Sequence, residues 1–209
     1  MPALWMSGLR KRFGARELWA PLDLTVEAGE TVALLGANGV GKSTLLRIAA
    51  TASRPTAGAL VVDGVDAVRS PDQARPRVGL QPQDAPLYAE LTPHEHLRWW
   101  ARLHGVAVDP DATLVQFGLA QAAHRPSAVL SRGQRQRVAL ALASLPDPPL
   151  LLLDEPFTAL DAAGATQVEA LLAARRGRKG TLMALHDEAL ARRVADRVVR
   201  LDRTGVHPA

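Results

Sequence analysis

Two stretches of this chain carry residue types that can handle phosphate. The first, GANGVGKST at 36–44, fills every fixed position of the G-x-x-x-x-G-K-[S/T] spacing. Gly36, Gly39 and Gly41 let the backbone N–H groups of this loop turn inward around phosphate oxygens, with Ala37, Asn38 and Val40 between them. Lys42 offers a compact cation to the β- and γ-phosphates, and Ser43, followed by Thr44, a hydroxyl that can ligate Mg²⁺. The second stretch, PLLLLDEP at 149–156, ends an apolar run on two carboxylates. Asp154 is suited to hold a metal, and Glu155 to orient and deprotonate a water. His186 closes a further apolar run, TLMALH, where a neutral imidazole can reach a phosphate or a water. Each of these has an ordinary reading as a glycine turn, a pair of acids at a loop or a loop histidine. Together, in one chain, those readings lose ground.

A third stretch, VLSRGQRQRVALALA at 129–143, poses a different question. Ser131 and Gln134 have the spacing of a capping box that opens a helix. Ser131 and the amides of Gly133 and Gln134 also form a helix start that suits an anion. One nucleotide does not need two cradles from the same chain.

The elements that must position these residues can be read around them. TVALLG at 31–36 is a continuous β-branched and leucine run directly before the phosphate loop, and the helix STLLRIAA follows it. PLDLTVEAGE at 21–30 alternates as a half-buried strand, and GALVVDGVDA carries Asp63-Gly64, a hairpin signal. Thr92, Pro93 and Glu95 start a helix that Gly105 closes, with Leu97, Trp100, Ala101 and Leu103 expected as its core stripe. His94, His96 and His104 are expected to be solvated. Strands at 149–154, 181–186 and 197–202, with a helix at 161–176, complete an alternation that indicates a parallel sheet covered on both faces.

Composition narrows the class. At 209 residues the chain makes one large domain able to bury roughly 70% of its unfolded surface. With no cysteine it can build neither disulfides nor thiolate zinc sites. No window approaches the ~20 apolar residues of a membrane span, and no secretory leader is visible at the start. The net charge of +4 comes almost entirely from scattered arginine, the only lysines being Lys11, Lys42 and Lys179. RRGRKG at 175–180 is the single basic run and reads as a solvated face or loop, so no nucleic acid is expected as a partner.

In this order the motifs resemble the ATP-binding subunits of ABC transporters: phosphate loop, Gln83 in LQPQD, signature LSRGQ at 130–134, LLLLDEP, Asp161 in TALD, and His186. The resemblance implies a P-loop α/β cassette over 1–209. Segments 1–83 and 146–209 would form a mostly parallel core sheet with a small antiparallel β lobe, and 84–145 an inserted helical subdomain. It implies that Phe13 stacks on adenine, that Gln83 contacts the metal or water and senses a membrane partner, and that Asp161 meets a second subunit. It further implies that Ser131, Gly133 and Gln134 serve the nucleotide of that second subunit, a copy of this chain or a paralogue. The family's usual signature is Leu-Ser-Gly-Gly-Gln; Arg132 replaces the first glycine here and is expected to point outward. ATP and Mg²⁺ are the implied ligands, and a separate transmembrane permease, docked on 84–105, is the implied partner. The subunit would lie peripherally on the cytoplasmic face of the membrane.

The short length, DEPFTALD and LSRGQRQRVALA also resemble the small ATPase of haem exporters in cytochrome c maturation, although other export ATPases share these strings. A non-membrane ABC ATPase would carry coiled-coil or zinc insertions or a second cassette, and none is present. A catalytically dead module conflicts with intact Lys42, Asp154, Glu155 and His186, and a kinase with LSRGQ followed by TALD.

Overall fold

Apolar runs that do not alternate with polar residues must be covered on both faces. In the computed structural model, which describes residues 1–209, they are. The chain forms β1 (Leu4–Arg10), β2 (Arg12–Phe13), β3 (Arg16–Glu17), β4 (Leu22–Val26), β5 (Thr31–Leu35), α1 (Lys42–Ala49), β6 (Ala57–Val62), β7 (Val65–Asp66), α2 (Pro71–Ala74) and β8 (Val78–Gln81). Then follow α3 (Pro93–His104), α4 (Pro110–Gln116), α5 (Arg132–Ser144), β9 (Leu150–Asp154), α6 (Ala162–Arg175), β10 (Gly180–Ala184), α7 (Glu188–Val194), β11 (Arg197–Asp202) and β12 (Gly205–Pro208).

Six strands make the central sheet in the order β12-β11-β5-β10-β9-β8, parallel except for the edge hairpin β11–β12. The three middle strands, β5, β10 and β9, are buried at every position. A second, antiparallel sheet, β4-β1-β6-β7, lies over one face. Its β6–β7 turn places Asp63 (φ 44°) and Gly64 (φ 78°) in the left-handed pair that a two-residue hairpin demands. One apolar core fills the space between the two sheets around α1. The other, beneath the opposite face, is built from α3 to α7.

The helix ends follow their residues. Thr92 and Glu95 form a full capping box, Pro93 occupies the first turn, and Gly105 closes α3 at φ 64°. Ser131 and Gln134 do the same for the start of α5. Tertiary packing overrides three local expectations. Leu103 is 63% exposed, on a cleft rim instead of in the core. His96 is only 2% exposed, held between backbone groups and not solvated. Arg175, in the basic run, is 4% exposed: its guanidinium donates to the Pro148 carbonyl at 2.9 Å, the Gly180 carbonyl at 3.1 Å and Thr181 Oγ1 at 3.3 Å. This stitches the end of α6 to the starts of β9 and β10, and burial pushes the Arg175 pKa down to about 10.

The helical layer sits tightly on the sheet at Gly79 of β8. A Cβ there would lie 2.0 Å from the Ala143 carbonyl oxygen of α5 and 3.0 Å from Pro148. Gly79→Ala is therefore expected to destabilise the fold by about 1–3 kcal/mol, as overpacking does. Each kcal/mol should lower the thermal midpoint by about 2–4 °C in a domain of this size. An unchanged midpoint would mean that α5 can move off the sheet freely.

Candidate active site

The chain leaves β5 at Leu35 and turns through the glycine loop into α1. Gly39 (φ 75°) and Gly41 (φ 112°) take left-handed conformations that other residues resist. Gly41 is constrained twice, because a Cβ there would lie 2.2 Å from the ring of Trp19, which is buried behind the loop. The loop and its neighbours enclose a cleft of ≈ 340 Å³, lined by Leu18, Ala37, Asn38, Gly39, Gly41, Lys42, Ser43, Thr44, Gln83, Asp154 and Glu155. Gly36 holds the lysine side chain: its carbonyl accepts from Lys42 Nζ at 2.7 Å. Val40 turns away and packs on the apolar core.

At the other wall, β9 delivers Asp154 and Glu155 beside the loop. Asp154 is 5% exposed, and burial raises its carboxyl above the usual carboxylate range; a hydrogen bond with Ser43 and the charge of Lys42 pull the other way, while Glu155 and Asp84 reinforce the rise. A desolvated carboxylate and a hydroxyl in contact are hard oxygen donors, and no group of three or more His, Cys, Asp or Glu side chains surrounds them. This fits a divalent cation that keeps water and phosphate oxygens as its remaining ligands, as Mg²⁺ prefers.

Glu155 sits at φ 53°, strained for a residue with a Cβ. Three bonds hold it. Its N–H donates to the Ala184 carbonyl at 3.1 Å, and its own carbonyl accepts from Gln136 Nε2 at 3.1 Å. His186 Nδ1 lies 2.8 Å from Glu155 Oε2. The glutamate side chain is 11% exposed and the histidine 68%, so the imidazole covers the carboxylate from the solvent side. Gln136 was not visible as a site residue in the sequence. The available signal was a glutamine on the same helical face as Leu140 and Ala143, all three buried.

The remaining candidates lie outside the cleft. Phe13 is 56% exposed on the β2–β3 hairpin, with the Lys11 ammonium 4.8 Å from its ring centre. Ser131 is exposed at the start of α5, its Oγ accepting from the Gln134 amide at 3.2 Å and Gln134 Oε1 accepting from the Ser131 amide at 2.9 Å. A Cβ on Gly133 would lie 2.5 Å from the Ala159 carbonyl oxygen, so glycine lets α5 sit against the loop before Asp161. Arg132 is exposed, pointing into solvent. Asp161 caps α6, accepting from the Gly164 amide at 2.8 Å.

The ABC transporter family model matches residues 19–158. The chain belongs to the ABC transporter family. It is 39% identical over 197 residues to the cytochrome c biogenesis ATP-binding export protein CcmA of Hyphomonas neptunium, covering 90% of this chain and 92% of that one. It is 40% identical over 206 residues to the aliphatic sulfonates import ATP-binding protein SsuB of Pseudomonas putida, covering 94% of this chain and 72% of the other. Among solved structures, the ATP binding subunit of an ABC transporter superposes with a TM-score of 0.90 at 30% identity, over 98% of this chain and 88% of that one. The dimeric bacterial cassette MJ0796 shares the fold, with a TM-score of 0.86 at 24% identity over 98% and 96% of the two chains. This ABC chain is accordingly an ATP-binding, ATP-hydrolysing transporter subunit.

The raised Asp154 carboxyl has a thermodynamic consequence for the ABC subunit free of metal and nucleotide. A carboxyl whose folded pKa is raised adds stability while protonated, and that stability is lost as pH rises through the folded value. At pH 7.5 Asp154→Asn should therefore raise the thermal midpoint. The difference should shrink as pH falls toward 4. A midpoint at pH 7.5 equal to or below that of the parent would contradict the electrostatic account of Asp154.

Proposed function

We propose that two copies of this chain hydrolyse Mg·ATP in sites shared between them, and that the cycle drives a separate membrane permease. The observation that carries the reading is the division of anion-binding surfaces. The loop 36–44 lines the cleft, whereas the start of α5 lies outside it, with Ser131 and Arg132 exposed and Gly133 and Gln134 half-buried. A surface that no cleft of its own chain uses is available to a second copy. Head-to-tail pairing about a two-fold axis would bring Ser131, Gly133 and Gln134 of each copy to the other's phosphate loop, with Asp161 at the seam.

Within one such site, Lys42 and the amides from Ala37 to Thr44 bind the phosphates, and Phe13 offers an exposed ring to adenine. Ser43, Asp154 and Gln83 would hold the Mg²⁺, which would supply positive charge to offset that of the phosphates. Glu155 takes a proton from water as the water oxygen attacks the γ-phosphorus and the bond to the bridging oxygen breaks. His186 covers Glu155 and fixes its carboxylate through Nδ1. Glu155→Gln should keep ATP affinity and lower turnover by about 10²–10⁴, the span typical of a general base. Parent-level hydrolysis in a steady-state phosphate-release assay would refute that role.

No helix is long and apolar enough to cross a membrane, so a permease would have to hold the subunit at the cytoplasmic face. An apolar cleft of ≈ 660 Å³ between the central sheet and α3, lined among others by Leu87, Trp100 and Leu103, supports docking there. Tyr88, 56% exposed, stands beside it. Serine at both Leu87 and Tyr88 should abolish transport by the assembled complex while basal ATPase survives. Loss of basal ATPase would show these residues to be structural.

For the cargo we propose haem, exported for cytochrome c maturation. Identity alone does not separate the two kinds of relative. The proposal is supported by two cytochrome c biogenesis ATP-binding export proteins, each 39% identical to this chain. Deleting the gene should remove covalently haem-bearing cytochrome c from membranes, scored by in-gel haem staining. Growth on aliphatic sulfonates lost instead would assign the importer role.

A further inference from the structure

His96 is a buried histidine that the reaction as described does not use. Both of its ring nitrogens are engaged. Nε2 accepts from the Tyr88 backbone N–H at 3.0 Å, and Nδ1 lies 3.0 Å from the Thr92 carbonyl oxygen. An N–H donor facing Nε2 requires a lone pair there, so the ring proton sits on Nδ1 and donates to Thr92. Only the neutral imidazole makes both bonds, and burial favours that form by lowering the pKa of His96. The Tyr88 ring lies against the imidazole, with centroids 6.1 Å apart at 22°.

The backbone that His96 grips is fastened on its far side as well. Ser127, 1% exposed, donates to the Leu91 carbonyl from its hydroxyl at 2.7 Å and from its amide at 2.9 Å. The Ala128 amide donates to the Ala89 carbonyl at 2.9 Å. Segment 88–91 therefore lies between two attachments. It begins five residues after Gln83 in the nucleotide cleft, and it is bonded to the turn that runs through Leu130 into Ser131.

We propose that His96 and Ser127 are positioning residues that clamp segment 88–91, so that the cleft-facing Gln83 and the partner-facing Ser131 keep one relative geometry. The role rests on the reading above in which Ser131 serves the other copy's nucleotide. Neither side chain lines the cleft, so neither is required for a single chain to bind ATP.

The test uses the full chain carrying Glu155→Gln, with three readouts: amide exchange at Tyr88 and Ala128, Mg·ATP-driven dimerisation by sedimentation, and monomer affinity for a fluorescent ATP analogue. His96→Phe fills the space and makes neither hydrogen bond. It should speed Tyr88 exchange and weaken the dimer, each about tenfold, the effect of losing the single hydrogen bond that the Tyr88 amide makes to His96. Monomer affinity should not change. His96→Gln supplies a neutral acceptor and donor and should restore both. If His96→Phe fails to fold, Ser127→Ala carries the same comparison, with Ala128 exchange and dimer strength as the readouts. Unchanged Tyr88 exchange in a folded His96→Phe chain, or faster exchange with full dimer strength, overturns the clamp. A Glu155→Gln parent that stays monomeric with Mg·ATP overturns the shared site instead, and with it the purpose of the clamp.

Discussion

The site depends on one constraint, the in-register parallel pairing of β5, β10 and β9. Ala184 of β10 pairs with Leu34 on one side and with Asp154 on the other. Parallel strands paired in this way must release their loops at the same edge of the sheet. The phosphate loop, the Asp154–Glu155 pair and His186 lie far apart in the chain, and this pairing makes them neighbours. The largely apolar runs of the three strands leave them no option but the centre of the sheet, where both faces are covered.

Around that edge the protein tolerates arrangements that would be unfavourable elsewhere. Asp154 is stripped of water, Glu155 is held in a left-handed backbone conformation, and Gly41 is pressed against Trp19. Each is restrained by a bond or a packed group from another element: Ser43 on Asp154, Gln136 and Ala184 on Glu155, and the Trp19 ring on Gly41. Local strain of roughly 1–3 kcal/mol per residue persists only where the surroundings over-determine it. The apolar interior on both sides of the sheet supplies that rigidity, which links the core to the chemistry at its rim.

Much of this was legible in the residues, for physical reasons. The central strands have apolar runs too uniform for a half-exposed sheet, and the caps of α3 and α5 are local hydrogen-bonding devices complete within four residues. Both therefore appeared in the structure where their sequences placed them. That residues of the 36–44 loop, Asp154 and Glu155 meet in one cleft was legible because loop spacing and strand ends are also short-range features. Leu103, His96 and Arg175 were misread because their surroundings are supplied by distant segments. Helical spacing puts Leu103 on an apolar stripe but cannot say that the stripe outruns the surface it covers. A histidine two residues after another looks solvated until Tyr88 is known to fold over it. Arg175 looks like part of a charged run until three oxygens, from Pro148 just before β9 and from Gly180 and Thr181 of β10, surround it.

The central claim is that each nucleotide site is completed by a second copy of the chain. Complementation tests it most directly. Chains bearing Lys42→Ala and chains bearing Ser131→Arg are prepared separately and shown to be inactive, then mixed, and phosphate release is measured across mixing ratios. If Ser131 acts on the other copy, each mixed dimer has one site with both substitutions and one with neither. Activity should then reappear and peak near equal proportions. If Ser131 instead serves its own chain's nucleotide, every site in every dimer is damaged, and a mixture as inactive as its components would contradict the account.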